Sequence, residues 1–128
     1  MSTQKRHFKV GEAASLLGVS DDTVRRWADS GRLTLSGTPA TIDGVELAAL
    51  AQELGAEAPA SSSSARNRFT GIVTKVTKGT VMAQVDLQAG PFRVVSLISR
   101  EAVDELGLEP GVLATATVKA TNVGIDLA

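Results

Sequence analysis

The N-terminal part of the chain, residues 8 to 54, repeats its apolar side chains at intervals of three and four. This spacing places them on one face of a helix, and it occurs in three short stretches. The sequence therefore predicts three short helices around one small core. The apolar positions are Val10, Ala13, Ala14, Leu16 and Leu17, then Val24, Trp27 and Ala28, then Val45, Leu47, Leu50 and Leu54.

From residue 67 onward, apolar and polar positions alternate, which is the period of a β-strand with one buried face. Turn-like pairs and triplets at 78–79, 89–91, 109–111 and 121–122 separate the alternating stretches. One short helix interrupts them, because Ser99 favours an N-cap and Gly107 favours a helix stop. We therefore predict a small barrel of about five strands and one short helix. In "VMAQVDL" the apolar face consists of Val81, Ala83, Val85 and Leu87.

The segment between these halves, "AEAPASSS" at 56–63, consists mainly of small residues with one proline and a serine run. Such a segment cannot bury a core and is typical of a linker. The predicted organisation is an N-terminal domain over residues 1–55, a linker over residues 56–63 and a C-terminal domain over residues 64–128. The fold class is α+β.

The composition of the chain excludes several classes of function. The 128 residues contain no cysteine and one histidine, and the formal net charge is −1. Without a thiolate or an assembled Ser-His-Asp set, we expect no enzyme and no cation site. No apolar run approaches the roughly 18 residues of a membrane span, so the expected location is the cytoplasm. Any DNA binding must come from a local group of basic side chains, since no global positive field exists.

Such a group occurs in "VGEAASLLGVSDDTVRRWADSGRL", residues 10–33. Ala14 suits a close helix crossing, Gly18 suits a turn with positive φ, and Ser20 suits the N-cap of a second helix. With Val24 and Trp27 directed into the core, the outward residues are Thr23, Arg25 and Arg26. These three are the candidate DNA-binding residues, because the second helix of a helix-turn-helix lies in the major groove.

The alternative interpretation of this region is a three-helix domain with ordinary surface arginines. The stretch resembles the winged helix-turn-helix of MerR-type regulators and phage excisionases, which implies DNA as a partner. The corresponding two-stranded wing is "LTLSGTPATI", residues 33–42, and it has no basic residue. Residues 1–55 carry six Lys or Arg against seven Asp or Glu. We therefore expect weak DNA binding by a single copy and useful affinity only from several copies.

Four motifs distinguish the C-terminal half: "SARN" at 64–67, the glycine of "TGIV" at 70–73, "SREAVDELGLEPG" at 99–111 and "VKATNVGI" at 118–125. Taken singly, Arg66 and Lys119 are typical of solvated strand ends. Together, in this order, the motifs resemble the Mop family, the domains of ModE-type molybdate regulators and of small molybdate-storage proteins. The resemblance covers about half of the chain and implies an OB-like barrel that binds an oxyanion.

The resemblance implies that molybdate or tungstate lies at a subunit interface, with Arg66 and Lys119 supplying positive charge. It also implies that the hydroxyl of Ser99 comes from a neighbouring subunit. Some family members carry a second hydroxyl where this chain has Ala102. The candidate oxyanion-binding residues are Ser64, Ala65, Arg66, Asn67, Ser99, Lys119, Ala120 and Thr121.

The sequence thus predicts a molybdate- or tungstate-responsive transcriptional regulator. It is expected to form a homo-oligomer through the Mop domain. The expected state is at least a dimer, and a hexamer is the expected higher state. The alternative is a cytoplasmic molybdate-binding or storage protein whose helix-turn-helix does not bind DNA. In a third interpretation the barrel binds another anion, or no ligand, and serves only to oligomerise the chain.

Overall fold

The computed structural model describes residues 6–56 and 64–128. The chain divides into two compact units, Met1–Ala60 and Ser61–Ala128, and each is described by itself. Within the described ranges, no helix is long and apolar enough to cross a membrane.

The N-terminal unit contains three helices and one small sheet. The helices are α1 (Val10–Leu17), α2 (Asp21–Asp29) and α3 (Gly44–Ala56), and the two antiparallel strands are β1 (His7–Lys9) and β2 (Thr41–Asp43). The predicted three-helix domain is confirmed. Its buried core consists of Val10, Ala13, Ala14, Val24, Leu33, Ile42, Leu47 and Leu50.

The turn between α1 and α2 has the features that the sequence predicts. Gly18 adopts φ 69°, a left-handed conformation that glycine tolerates best. The amide of Val19 donates to the carbonyl of Ala14, at 3.0 Å, which satisfies a carbonyl at the end of α1. The hydroxyl of Ser20 then accepts from the amide of Thr23, at 3.2 Å, and caps α2.

The predicted two-stranded wing over residues 33–42 is wrong. That segment contains one isolated bridge, Ser36 with Thr41, and the strand β2 pairs with β1 instead. The strand β1 was not predicted, because three residues are too few to show a period of two. The reason for the different pairing is that Phe8 lies opposite the fully buried Ile42, so β1 covers the core from that side.

The C-terminal unit is one antiparallel sheet with one helix. Its strands are β3 (Asn67–Lys78), β4 (Met82–Ala89), β5 (Phe92–Ser99) and β6 (Leu113–Val118), in the order β5-β4-β3-β6. Helix α4 (Arg100–Leu106) follows β5, and a single 3₁₀ turn (Ala120–Asn122) follows β6. As predicted, Ser99 caps α4 and Gly107 ends it at φ 64°.

The sheet curls into a half-barrel over a core that contains Val73, Ala83, Val85, Leu87 and Val103. Strand β3 is the longest strand, and it pairs with β4 along its second half and with β6 along its first half. Gly71 lies where the two pairings meet. A Cβ there would overlap the carbonyl oxygen of Gln88 and lie 2.9 Å from the Cα of Ala89. The absence of a side chain therefore permits the close approach of β3 and β4.

The α+β class and the OB-like architecture are confirmed, with one difference in the strand count. Four strands form in the described part of the C-terminal unit, whereas about five were predicted. Residues 123–128 have the alternation of a fifth strand but pair with no strand in the part of the chain that the structure describes. Helix α3 continues through Ala56, and the rest of the predicted linker, residues 57–63, lies outside the described residues.

Candidate functional site

The start of β3 and the end of β6 lie side by side. Asn67 and Val118 are the last pair of this antiparallel ladder. The side-chain amide of Asn67 also donates to the carbonyl oxygen of Val118, at 3.0 Å. This bond joins the "SARN" and "VKAT" motifs, which lie about fifty residues apart in the chain, at one end of the sheet.

Arg66 and Lys119 are the cations of this end of the sheet. Arg66 directly precedes Asn67 and Lys119 directly follows Val118, so both lie at this end of the sheet, just beyond the last pair of the ladder. Both side chains are exposed, and neither has an ion-pair partner among the residues that the structure describes. Two cations at the same end of a sheet repel each other, and an anion bound between them would reduce that repulsion.

Neutral groups surround the two cations. Ser64 is exposed and Ala65 is buried, both immediately before β3. On the other side, Ala120 and Thr121 belong to the 3₁₀ turn, which a bond from the amide of Asn122 to the carbonyl of Lys119 closes at 2.9 Å. The structure thus gathers seven of the eight predicted residues at one end of the sheet.

Ser99 is the exception. It ends β5 and pairs with Met82, which lies beside the far end of β3. Its hydroxyl oxygen accepts from the amide of Ala102, at 3.1 Å, and this leaves the hydroxyl hydrogen available for a second bond. Within one chain, Ser99 therefore lies at the opposite end of the sheet from Arg66 and Lys119.

Arg68 is a further cation at this end, and it was not among the predicted residues. It is exposed and pairs with Thr117, one step inside the pair of Asn67 and Val118. Because side chains two apart share a face of a strand, Arg68 lies on the face to which an extended Arg66 would point. The alternation of "ARNRF" is the sequence signal that could have identified it.

An ion pair between a buried carboxylate and an exposed arginine in the same sheet was also missed. The carboxylate of Asp86 on β4 accepts from the guanidinium of Arg93, at 2.6 and 2.9 Å, and from the amide of Gln84, at 3.1 Å. These hydrogen bonds, that of Gln84 first, hold the pKa of Asp86 below its ordinary value near 3.8. Asp86 is saturated with partners inside the chain and is therefore a structural carboxylate.

The candidate nucleic-acid surface is the outward face of α2. Arg25 and Arg26 are exposed and Thr23 is half-buried. The hydroxyl of Thr23 bonds with that of Ser20, at 3.0 Å, and accepts from the guanidinium of Arg26, at 3.2 Å. Arg25 has no such bond within the described ranges, so its guanidinium is the more available of the two.

Comparisons with known proteins match each half of the chain to a protein family. A family model described as a helix-turn-helix domain matches residues 8–54, and one described as a TOBE domain matches residues 63–125. Molybdenum-pterin-binding protein 2 of Clostridium pasteurianum is 46% identical over 65 residues, which are 50% of this chain and 96% of that protein.

Two further relatives cover the same half. The probable molybdenum-pterin-binding protein of Haemophilus influenzae is 44% identical over 65 residues, 50% of this chain and 94% of that protein. A solved structure of a molybdate binding protein from Sporomusa ovata is 35% identical, with a TM-score of 0.49, over 51% of this chain and 97% of the other. The chain belongs to the molybdenum-pterin-binding protein family and carries a helix-turn-helix domain before its TOBE domain. The resemblance inferred from the sequence is thereby confirmed.

Proposed function

We propose that this protein is a DNA-binding transcriptional regulator that responds to molybdate or tungstate. The observation that carries the proposal is that Arg66 and Lys119 lie at the same end of the sheet, as two exposed cations without an acidic partner in the described residues. They lie in a domain that is 46% identical to a protein named for molybdenum-pterin binding. The helix-turn-helix domain before it is the expected output element.

The chemistry of the pair suits a tetrahedral dianion. Arg66 offers a planar fork of donors and Lys119 a compact point charge, and the two can approach the anion from opposite strands. Neutral donors complete the ring, since an oxyanion needs hydrogen bonds as well as charge. In this proposal the neutral donors are the hydroxyls of Ser64 and Thr121, backbone amides of Ala65, Asn67 and Ala120, and the hydroxyl of Ser99 from a second subunit.

The anion site can be tested by calorimetric titration of the full chain with molybdate, tungstate and sulfate. Each charge-assisted hydrogen bond contributes about 1.5–3 kcal/mol, so Arg66→Ala and Lys119→Ala should each lower affinity at least about tenfold. The double variant should not bind. Lys75→Ala is the matched control, because it removes an exposed cation from the middle of β3. Equal binding by wild type and Arg66→Ala would reject the site.

The DNA-binding part of the proposal places α2 in the major groove, with Arg25 and Arg26 against bases or phosphates. Removing an arginine that reads a guanine should cost roughly 1–3 kcal/mol of binding free energy at one base position. Removing one that contacts phosphate should weaken binding to all sequences and lower the salt dependence of binding. Fluorescence anisotropy with DNA from upstream of the protein's own gene measures both effects. Lys75→Ala again serves as the control, and unchanged binding by the double variant of Arg25 and Arg26 would reject the assignment.

Regulation in this proposal follows from assembly. An anion that binds only when two subunits meet favours the assembled state, and that state fixes how many helix-turn-helix domains act together. The few basic residues of the N-terminal unit make such multiple binding necessary for useful affinity. A homo-oligomer, at least a dimer, is therefore part of the proposed mechanism.

The second candidate function is a molybdate-binding or storage protein that does not act on DNA. Two observations favour it. The C-terminal half alone covers 96% of a relative, so this domain also occurs without the N-terminal one. In addition, the segment corresponding to the wing has a single bridge and no basic residue. The anisotropy experiment separates the two candidates, because only the regulator binds DNA.

A further inference from the structure

The two arginines of α2 differ in their position around the helix. Val24 is fully buried and marks the inward face of α2. An α-helix turns by about 100° per residue, so Arg25 lies about 100° and Arg26 about 200° from Val24. Arg25 therefore lies on a flank of the helix. Arg26 lies near the middle of the outward face, which a helix-turn-helix presents to the major groove.

The two arginines also differ in how they are held. The guanidinium of Arg26 donates to the hydroxyl of Thr23, at 3.2 Å, and that hydroxyl bonds with the hydroxyl of Ser20, at 3.0 Å. The oxygen of Ser20 is itself fixed, because it accepts from the backbone amide of Thr23 as the N-cap of α2. A chain of hydrogen bonds thus connects Arg26 to the start of its own helix. Arg25 has no such bond in the part of the chain that the structure describes.

The partner of Arg26 is a neutral hydroxyl, which leaves the charge of the guanidinium intact. Asp22 lies four residues before Arg26, at a spacing where ion pairs form on a helix. Within residues 6–56 and 64–128, no ion pair joins Arg26 to Asp22 or to another carboxylate. The bond to Thr23 uses one N–H, and the guanidinium keeps its remaining donors. Arg26 is therefore ordered without being neutralised.

We propose that Thr23 is a positioning residue that holds Arg26 for bidentate recognition of a guanine in the major groove, and that the unrestrained Arg25 contacts phosphate. This assignment rests on the proposed DNA binding. Donation to both O6 and N7 of guanine requires one orientation of the guanidinium plane, so it gains from a side chain that is ordered before DNA binds. A phosphate contact depends on charge and tolerates many orientations. The DNA site then contains a G·C pair that Arg26 reads.

Fluorescence anisotropy of the full chain tests the roles of the two arginines. The probes are DNA from upstream of the protein's own gene and duplexes that change one of its base pairs at a time. Arg26→Ala should remove a preference for G·C at one position, which we expect to be about 5- to 150-fold in wild type. Arg25→Ala should keep that preference and weaken binding to every duplex. It should also lower the slope of log affinity against log salt by about one.

The role of Thr23 is tested with Thr23→Val, which removes the hydroxyl and keeps the shape of the side chain. The backbone amide that Ser20 accepts from remains, so α2 should stay folded, which far-UV circular dichroism checks. Releasing Arg26 should lower affinity for the preferred duplex about two- to tenfold and reduce the G·C preference at the same position. Thr23→Ser retains the hydroxyl and should restore both. Thr77→Val makes the same change at an exposed position of β3 and should behave like wild type.

A double-mutant cycle separates positioning from a purely structural role of Thr23. In the Arg26→Ala background, Thr23→Val should have no further effect, whereas its effect should persist in the Arg25→Ala background. An unchanged G·C preference in Thr23→Val, or an equal loss of affinity with and without Arg26, would overturn the proposal and leave DNA binding standing. Loss of the preference in Arg25→Ala would do the same. A wild-type chain that binds no DNA would reject the proposed DNA binding together with this assignment.

Discussion

The two units of this chain bury their apolar side chains to very different degrees. Among the described residues, the N-terminal unit leaves two large apolar side chains exposed, Leu16 and Val45, whereas the C-terminal unit leaves twelve. The first unit closes its own core with three helices and a two-stranded sheet. The second is a half-barrel whose edge strands β5 and β6 pair with no further strand among the described residues, so more of its apolar surface faces solvent. The N-terminal unit thus closes its core by itself, whereas the C-terminal unit leaves apolar surface uncovered.

Gly71→Ala is expected to cause the largest difference in stability between the two units. A Cβ at this position would overlap the carbonyl oxygen of Gln88, so β3 and β4 would have to separate. We expect a destabilisation of about 4 kcal/mol or more, confined to the C-terminal unit. Chemical unfolding with two probes measures it: circular dichroism follows the sheet, and fluorescence of Trp27, the single tryptophan, follows the N-terminal unit.

The control for that experiment is Gly124→Ala, since a Cβ at Gly124 would meet nothing within 4 Å. Its sheet transition should match wild type at the same protein concentration. If Gly71→Ala shifts the Trp27 transition as far as the sheet transition, the two units do not unfold separately and the comparison fails.

A smaller effect is expected at the two serine caps, one in each unit. Ser20 accepts from the amide of Thr23 and Ser99 from the amide of Ala102, at 3.2 and 3.1 Å. Replacing either by alanine should cost about 1 kcal/mol of unfolding free energy in its own unit. Only Ser99→Ala should also weaken molybdate binding, because its hydroxyl is a proposed ligand in a second subunit. Equal molybdate affinity in the two variants would remove Ser99 from the proposed site.

The smallest expected effect is a loss of stability of the C-terminal unit at acid pH. The hydrogen bonds from Gln84 and Arg93 lower the pKa of Asp86 below its ordinary 3.8, and Lys78 lowers that of Asp104 in the same way. The folded state thus favours both ionised carboxylates. Their stabilisation is present above pH 3.8 and is lost as the pH falls through the lower pKa of the folded chain.

Arg93 is 63% exposed, so solvent screens its pair with Asp86 and the effect should be modest. As the pH is lowered from about 5, the free energy of unfolding of the sheet should fall less steeply in Asp86→Asn than in wild type. Asp126→Asn, which changes an exposed carboxylate outside the strands, is the control. Identical pH profiles for wild type and Asp86→Asn would show that the pair does not contribute.

The elements that the sequence predicted well are those encoded by neighbouring residues. Gly18 and Ser20 mark the turn between α1 and α2, and Ser99 and Gly107 mark the ends of α4, because caps act within one helical turn. The inward face of β4 was predicted for the same reason, since Ala83, Val85 and Leu87 alternate along a single strand. The same pattern was wrong for Val81, which precedes β4 and is exposed.

The elements that could not be predicted depend on partners far away in the chain. The pairing of β1 with β2 joins residues more than thirty positions apart, and it replaced the expected wing. Residues 123–128 alternate like a strand but form none in the described part of the chain, because a period of two does not specify a partner. At the candidate oxyanion site, the motifs identified the residues, while the pairing of β3 with β6 was needed to bring Arg66 and Lys119 to the same end of the sheet.

The central claim, that oxyanion binding controls DNA binding, is tested most directly by the DNA affinity of the full chain with and without molybdate. Fluorescence anisotropy at constant ionic strength measures this affinity, with sulfate as the control anion and Arg66→Ala as the control variant. Coupled sites typically change each other's affinity by roughly 5- to 150-fold, so we predict at least about a fivefold change with molybdate. We predict none with sulfate and none in Arg66→Ala. Tight DNA binding that is identical with and without saturating molybdate would contradict the account.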